Sequence, residues 1–327
     1  MVAMAVVLGA SLATSGSARA DTDIAASRTP SQGSAPARLV ASGLGASTGT
    51  TVGPDGGIYV VDGAAGVVRR VDPRTGRTST FATGLPKPVG SYGGAVDVAF
   101  MGRTGYVLVT LVSADVGGVD VDGIYRLNAD GGATPLADIG SWSIAHPPET
   151  DFFVPSGVLY AMEPFRGGFL ATDAHHNRVL RVSLGGAISP LVTLPNVVPT
   201  GLAVRGSSVY VAEAGPVPHL PGDGRVIAVT GRSQHTVASG GPLLVDVEIG
   251  PGHTMYAVAQ GHFTPGHEEG SPADPGTGSL LRAGPNGTMT VVTSGLDRPT
   301  SVEIVGTTAF VVTLTGQLWA IDLRWRR

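Results

Sequence analysis

One unit occurs six times along the chain, and no other feature limits the possible folds so sharply. Its first full copy, "GIYVVDGAAGVVRRVDPRTGRTSTFATGL" from Gly57, reads as strand, loop, strand, tight turn, strand. The strand after the loop recurs as "GVVRRV" (Gly66), "DGIYRL" (Asp122), "NRVLRV" (Asn177), "GRVIAV" (Gly224), "GSLLRA" (Gly278) and "GQLWAI" (Gly316). Most copies are followed by a Gly-containing turn such as "DPRTGR", "NADGGA" or "GPNGT", the chemistry that reverses antiparallel strands. The strands before the loops agree: "IYVVDG", "GYVLVT", "GFLATDA", "VYVAEAG", "MYAVAQG" and "AFVVTL". Copies lie about 45 to 60 residues apart, the blade length of a propeller of four-stranded sheets.

The two ends of the array fit one ring. The sixth unit lacks a fourth strand after "GQLWAIDL", while "ARLVASGL" from Ala37 resembles the fourth strands "TSTFATGL" and "MTVVTSGL" with no unit before it. The expected fold is therefore an all-β, six-bladed β-propeller over residues 37–327, with the N-terminal strand closing the last blade. Such closure covers an open sheet edge. A β-sandwich would not need a missing strand at one end and a spare at the other.

Composition agrees. The 327 residues include 49 Gly and 24 Pro and are only 14% charged, which suits many short strands and turns. The net charge is -4 and the 21 basic residues are scattered, so no nucleic-acid footprint is present. "MVAMAVVLGASLATSGSARA" has an apolar run and an Ala-Arg-Ala ending; it reads as a signal peptide cut between Ala20 and Asp21, and the run is too short to span a bilayer. Residues 21–36, small and polar, read as a disordered leader. The chain has no cysteine, leaving packing and ring closure to hold it. The expected product is a secreted monomer without a membrane span.

Loop lengths sort by face. Connections between first and second strands are tight, as in "GPDGG" and "RGSS". Insertions fall on the other face: "LVSADVGGVDVDG" from Leu111, "GSWSIAHPPETDFFVP" from Gly140, "AGPVPHLPGDG" from Ala214 and "GHFTPGHEEGSPADPGTG" from Gly261. Long loops on one face mark it as the binding face. Two rings should look into its central mouth. The ends of the second strands give Asp62, Thr110, Asp173, Glu213, Gln260 and Thr313, polar in every blade. The starts of the first strands give Gly49, Asp97, Gly157, Gly201, Asp246 and Ser301, placing Asp97 and Asp246 opposite one another.

Asp97, Asp173, Glu213 and Asp246, with Gln260 and Asn177 nearby, offer the oxygen ligands that Ca²⁺ or Mg²⁺ take; the alternative is that they accept hydrogen bonds within the ring. His175 and His176, beside Asp173, form the cluster closest to a general base, although adjacent residues on an extended segment point opposite ways. His262, His267, Glu268 and Glu269 lack metal-site spacing, and no nucleophile elbow, Walker loop or dinucleotide fingerprint occurs.

With these repeats laid out, "SGLGASTGTTVGPDGGIYVVD", "GGFLATDAHHNRVLRV", "VPTGLAV" and "SVYVAEAGPVP" resemble the ScyD/ScyE family of exported bacterial propellers. More broadly they resemble the NHL-repeat and gluconolactonase-like six-bladed group, over roughly Arg38 to Leu323. The resemblance implies the propeller and export rather than a reaction. In gluconolactonase-like proteins it implies a divalent metal at the channel mouth on Glu, Asn and Asp; here Asp97, Asp173 and Asp246 stand as candidates, but the first-blade run "GTTVG" from Gly49 holds no Glu. Three readings follow: a non-enzymatic propeller binding a ligand or an extracellular protein through the long-loop face; a metal-dependent hydrolase or lactonase with His175 or His176 as base; and a cell-envelope scaffold using the blade sides.

Overall fold

The computed structural model describes residues 34–324 except 218, 232, 265 and 267–270. Six four-stranded antiparallel sheets form the blades of a β-propeller. The innermost strands are Thr50–Val52, Gly94–Met101, Leu159–Phe165, Pro199–Arg205, Leu244–Ile249 and Pro299–Val305. Among the described residues no helix is long and apolar enough to cross a membrane.

The second strands explain why the sequence reads as unbroken apolar runs there. Each lies between sheets on both sides, so Ile58–Asp62 and Gly168–Asp173 are buried at every position, and alternation disappears. Outermost strands show the opposite: Thr78–Ala82 is exposed at all but its last residue. Between blades 2 and 3, Leu108, Ile124, Leu159, Phe169 and Leu180 pack into one apolar seam; burying such side chains is worth roughly 1.5–3 kcal/mol each.

Ring closure is as the repeat requires. Ala37–Ala41 pairs antiparallel with Leu318–Asp322, Ala37 opposite Ile321 and Leu39 opposite Trp319. Order begins before that strand: Ala35, within the expected leader, is 1% exposed, and its N–H donates to Val292 O at 2.8 Å. The linker after blade 2 is also more ordered than a loop. It holds an α-helix, Ile139–Ala145, capped by Asp138, whose carboxylate accepts the Ser141 N–H, an N-cap contact readable in the Asp-x-x-Ser spacing.

Candidate functional site

The structure separates the residues that the sequence gathers in one mouth. Asp97 and Asp246 line the central channel with Thr48, Glu163, Glu248 and Glu303. Asp62, Asp173 and Glu213 lie outside that lining and are closed into ion pairs within their own blades. The channel itself is narrow, a cavity of about 20 Å³ with room for roughly one water molecule. Tyr160 of blade 3 reaches across it to blade 6, its hydroxyl 3.4 Å from Thr300 O.

In the channel the two aspartates act as clasps. Asp97 Oδ1 accepts the N–H of Val98 and Oδ2 the N–H of Met162 in blade 3, at 2.8 and 2.7 Å. Asp246 repeats this with Val247 and with Val302 of blade 6, both at 2.8 Å. Glycines make the clasps possible: a Cβ on Gly49 would stand 2.2 Å from Asp97 Oδ1, and one on Gly201 2.2 Å from Asp246 Oδ1. The pattern repeats after three blades. Thr48 donates to Val96 O and Thr200 to Leu244 O. Blade 3 breaks the register read from sequence, because Met162 rather than Gly157 is level with the clasp; Gly157 abuts the Asp173 carboxylate instead.

Glu163, Glu248 and Glu303 escaped the sequence reading, although a signal was there. Glu248 and Glu303 follow Asp246 and Ser301 by two residues, so they share a face of their strands. The five carboxyls meet no Lys or Arg among the channel-lining residues. Burial first, and then mutual repulsion, lifts Asp97, Glu163 and Glu303 well above the usual carboxylate range. Burial raises Asp246 to about 7, opposed by its hydrogen bonds from Val302, Ser301 and Val247. Glu248 also rises to about 7, through burial with repulsion from Asp246.

The ring at the second-strand ends is a set of internal stitches. Asp62 pairs with Arg69 at 3.0 Å, Asp173 with Arg178 at 3.1 Å and Glu213 with Arg225, each arginine on the next strand of the same blade. Thr110 Oγ1 accepts the Leu159 N–H at 3.0 Å, tying blade 2 to blade 3. Gln260 Oε1 accepts from Ala273 N, and Thr313 Oγ1 from Gln317 N. Asn177, at φ +51°, accepts both Val197 and Val198 N–H groups at 2.9 Å and so fixes the entry to blade 4.

His175 and His176 are corrected most. They occupy a turn, not an extended segment, and their rings lie side by side, 5.5 Å between centroids and 29° apart. His175 Nε2 accepts the N–H groups of Phe153 and Val154 at 2.9 and 3.1 Å. His176 Nε2 lies 3.1 Å from Val154 O, a contact an N–H must make, and Nδ1 lies 2.8 Å from Arg178 Nη2. The Nε2 lone pair of His175 is therefore taken, and both ring nitrogens of His176 are engaged by Val154 O, Arg178 and the Asp173 carboxylate, which lies 3.0 Å from Nδ1. Burial, aided by His176, depresses His175 to about 4. Asp173 is held below its ordinary value: burial pulls it up, but contacts with His176 and Arg178 outweigh burial.

The metal candidates are likewise divided, since Asp173 sits in its ion pair while Asp97 and Asp246 stand in the channel. Among the described residues no group of three His, Cys, Asp or Glu is arranged to hold a metal ion. Of the His-Glu group in the blade-5 loop, His267, Glu268 and Glu269 lie outside the described residues.

Fold and ring define the class: a six-bladed β-propeller whose long loops share one face. Solved structures with this architecture include a gluconolactonase from Xanthomonas campestris, 13% identical, covering 88% of this chain and 89% of its own with a TM-score of 0.61. A putative glucose dehydrogenase from Thermus thermophilus is 17% identical over 88% of this chain and 99% of its own, TM-score 0.60. A virginiamycin B lyase from Staphylococcus aureus is 15% identical over 88% and 99%, TM-score 0.53. At such identities the likeness establishes the fold, and these chemistries differ from one another. No protein-family model and no curated protein matches the chain.

Proposed function

We propose that the protein is an exported, non-enzymatic propeller of the ScyD/ScyE kind that binds a ligand or extracellular protein through its long-loop face. The observation that carries this reading is the closure of every candidate reactive group. His175 Nε2 accepts two backbone N–H groups, both ring nitrogens of His176 are engaged within the fold, and Asp62, Asp173 and Glu213 each face an arginine. A base needs an open lone pair within reach of substrate. The insertions, in contrast, concentrate length and exposed side chains on one side of a rigid ring, the arrangement of loop-borne recognition.

The test pairs two measurements. Purified protein is melted with EDTA and then with excess Ca²⁺ or Mg²⁺, and offered simple lactones. An unmoved midpoint and no turnover are expected; a metal that binds only the folded state would raise the midpoint, and turnover lost in the double substitution Asp97→Ala, Asp246→Ala would establish the hydrolase instead. Export is checked by the mass of protein recovered outside the cell, expected to begin at Asp21, and the monomer by sedimentation.

A further inference from the structure

We propose that the insertions of blades 2 and 3 form a docking surface for a cationic, apolar polypeptide segment, anchored by Phe152 and Phe153. This rests on the loop-face reading above and names the chemistry of the partner. Four of the eleven exposed large apolar residues among the described residues fall in these insertions: Val119 at 95% exposure, Ile144 at 51%, Phe152 at 39% and Phe153 at 53%. Phe152 and Phe153, neighbours in the chain, each leave part of an aromatic ring in water, a hydrophobic cost that a bound partner removes.

The phenylalanines are also held still. The His175 ring takes the backbone N–H of Phe153 and lies edge-on to its side chain at 4.5 Å, and the His176 ring meets Phe152 at 5.2 Å. Beneath them His176 and Arg178 are anchored on the buried Asp173, and Arg178 stacks over Trp142 of the helix that carries Ile144. The two insertions are tied together where Ser156 N–H donates to Asp115 Oδ2 at 2.9 Å and Gly140 N–H to Asp122 O at 2.9 Å. Exposed aromatics on such a frame lose little conformational entropy on binding, the property that makes an anchor effective.

Charge selects the partner. Asp115, Asp120, Glu149 and Asp151 are exposed on these insertions, and residues 111–122 and 139–157 contain no Lys or Arg. Insertions that carry exposed acids and exposed apolar side chains without a single cation complement a segment that alternates apolar side chains with Lys or Arg, and repel anionic lipid or acidic protein.

The probe is a fluorescein-labelled dodecapeptide of alternating Lys and Leu, with Glu/Leu and Lys/Ser peptides as controls, titrated with full-length protein in fluorescence anisotropy. The Lys/Leu peptide is expected to bind at least tenfold tighter than either control. Replacing both anchors (Phe152→Ala with Phe153→Ala) should weaken it tenfold or more while the protein still unfolds in one cooperative transition well above the assay temperature. Asp120→Lys with Asp151→Lys, both at exposed positions, should remove its salt dependence, and Phe153→Leu should keep most of the affinity. Equal binding by wild type and the double-alanine protein overturns the proposal, as does equal binding of the Glu/Leu peptide or no binding at all. Two other occupants would overturn it too: zwitterionic vesicles bound in place of the peptide, or a dimer in sedimentation that the double-alanine protein loses. Peptide binding that is lost instead when the Gly261–Thr277 loop is shortened overturns this site while leaving the loop-face reading intact.

Discussion

The Asp97 carboxylate accepts the Met162 N–H at 2.7 Å across the seam between blades 2 and 3, and Asp246 does the same for Val302 at the opposite seam. Removing either acid leaves a buried N–H without a partner, which costs about 1–3 kcal/mol. Asp97→Ala and Asp246→Ala should each lower stability by about that much in urea unfolding at pH 5, and the double substitution should depart from the sum because both acids line one cavity. At pH 8 the loss should shrink, since each substitution also removes a negative charge from a crowded channel.

The channel acids set a pH dependence of unusual sign. Asp246 and Glu248 rise from ordinary values of 3.8 and 4.5 to about 7 in the fold, so the folded state holds protons that the unfolded state releases. Their contribution is fully present below about pH 4 and is lost as pH rises through 7. The melting midpoint should therefore fall between about pH 5 and pH 8, and Glu248→Gln should flatten that slope. A midpoint that climbs over this range would contradict the channel assignment.

His175 works in the other direction. Its value falls from 6.5 to about 4, so its share of stability is present above 6.5 and disappears as pH drops through 4. Nitrogen NMR should find Nε2 unprotonated at pH 5, and acidification below 4 should release the Phe153 amide, read as faster hydrogen exchange at Phe153 and Val154.

Arg178 is 5% exposed and pairs with an Asp173 that is fully buried. Arg178→Met should cost about 3–5 kcal/mol, the usual penalty for stranding one member of a buried pair. Arg225→Met should cost less, because the Arg225 side chain is 39% exposed and water takes part of its role.

The architecture was legible because the repeat is written in features that depend on local chemistry: glycine turns, and second strands buried on both faces. The polar residues ending those strands were equally visible, but their partners were not. Arg69, Arg178 and Arg225 sit on the following strand, and only the antiparallel register reveals that each meets an acid. Glu163 stayed hidden because the insertion before blade 3 blurs where its first strand begins, so Gly157 took the place that belongs beside Met162. The histidine pair misled for a related reason. An extended segment would have sent the rings apart, whereas the turn at 174–177 brings them together to bind the backbone that carries Phe152 and Phe153.

The pairing of Ala37–Ala41 with Leu318–Asp322 also orders events in time. A ribosome adds about 5 to 20 residues per second, so Ala37–Ala41 waits on the order of 15 to 55 seconds before its partner strand Leu318–Asp322 exists. Five blades can form during that interval while Ala37–Ala41 remains unpaired. A chain cut anywhere before Leu318 would leave Ala37–Ala41 without that partner and the sixth blade with an open edge.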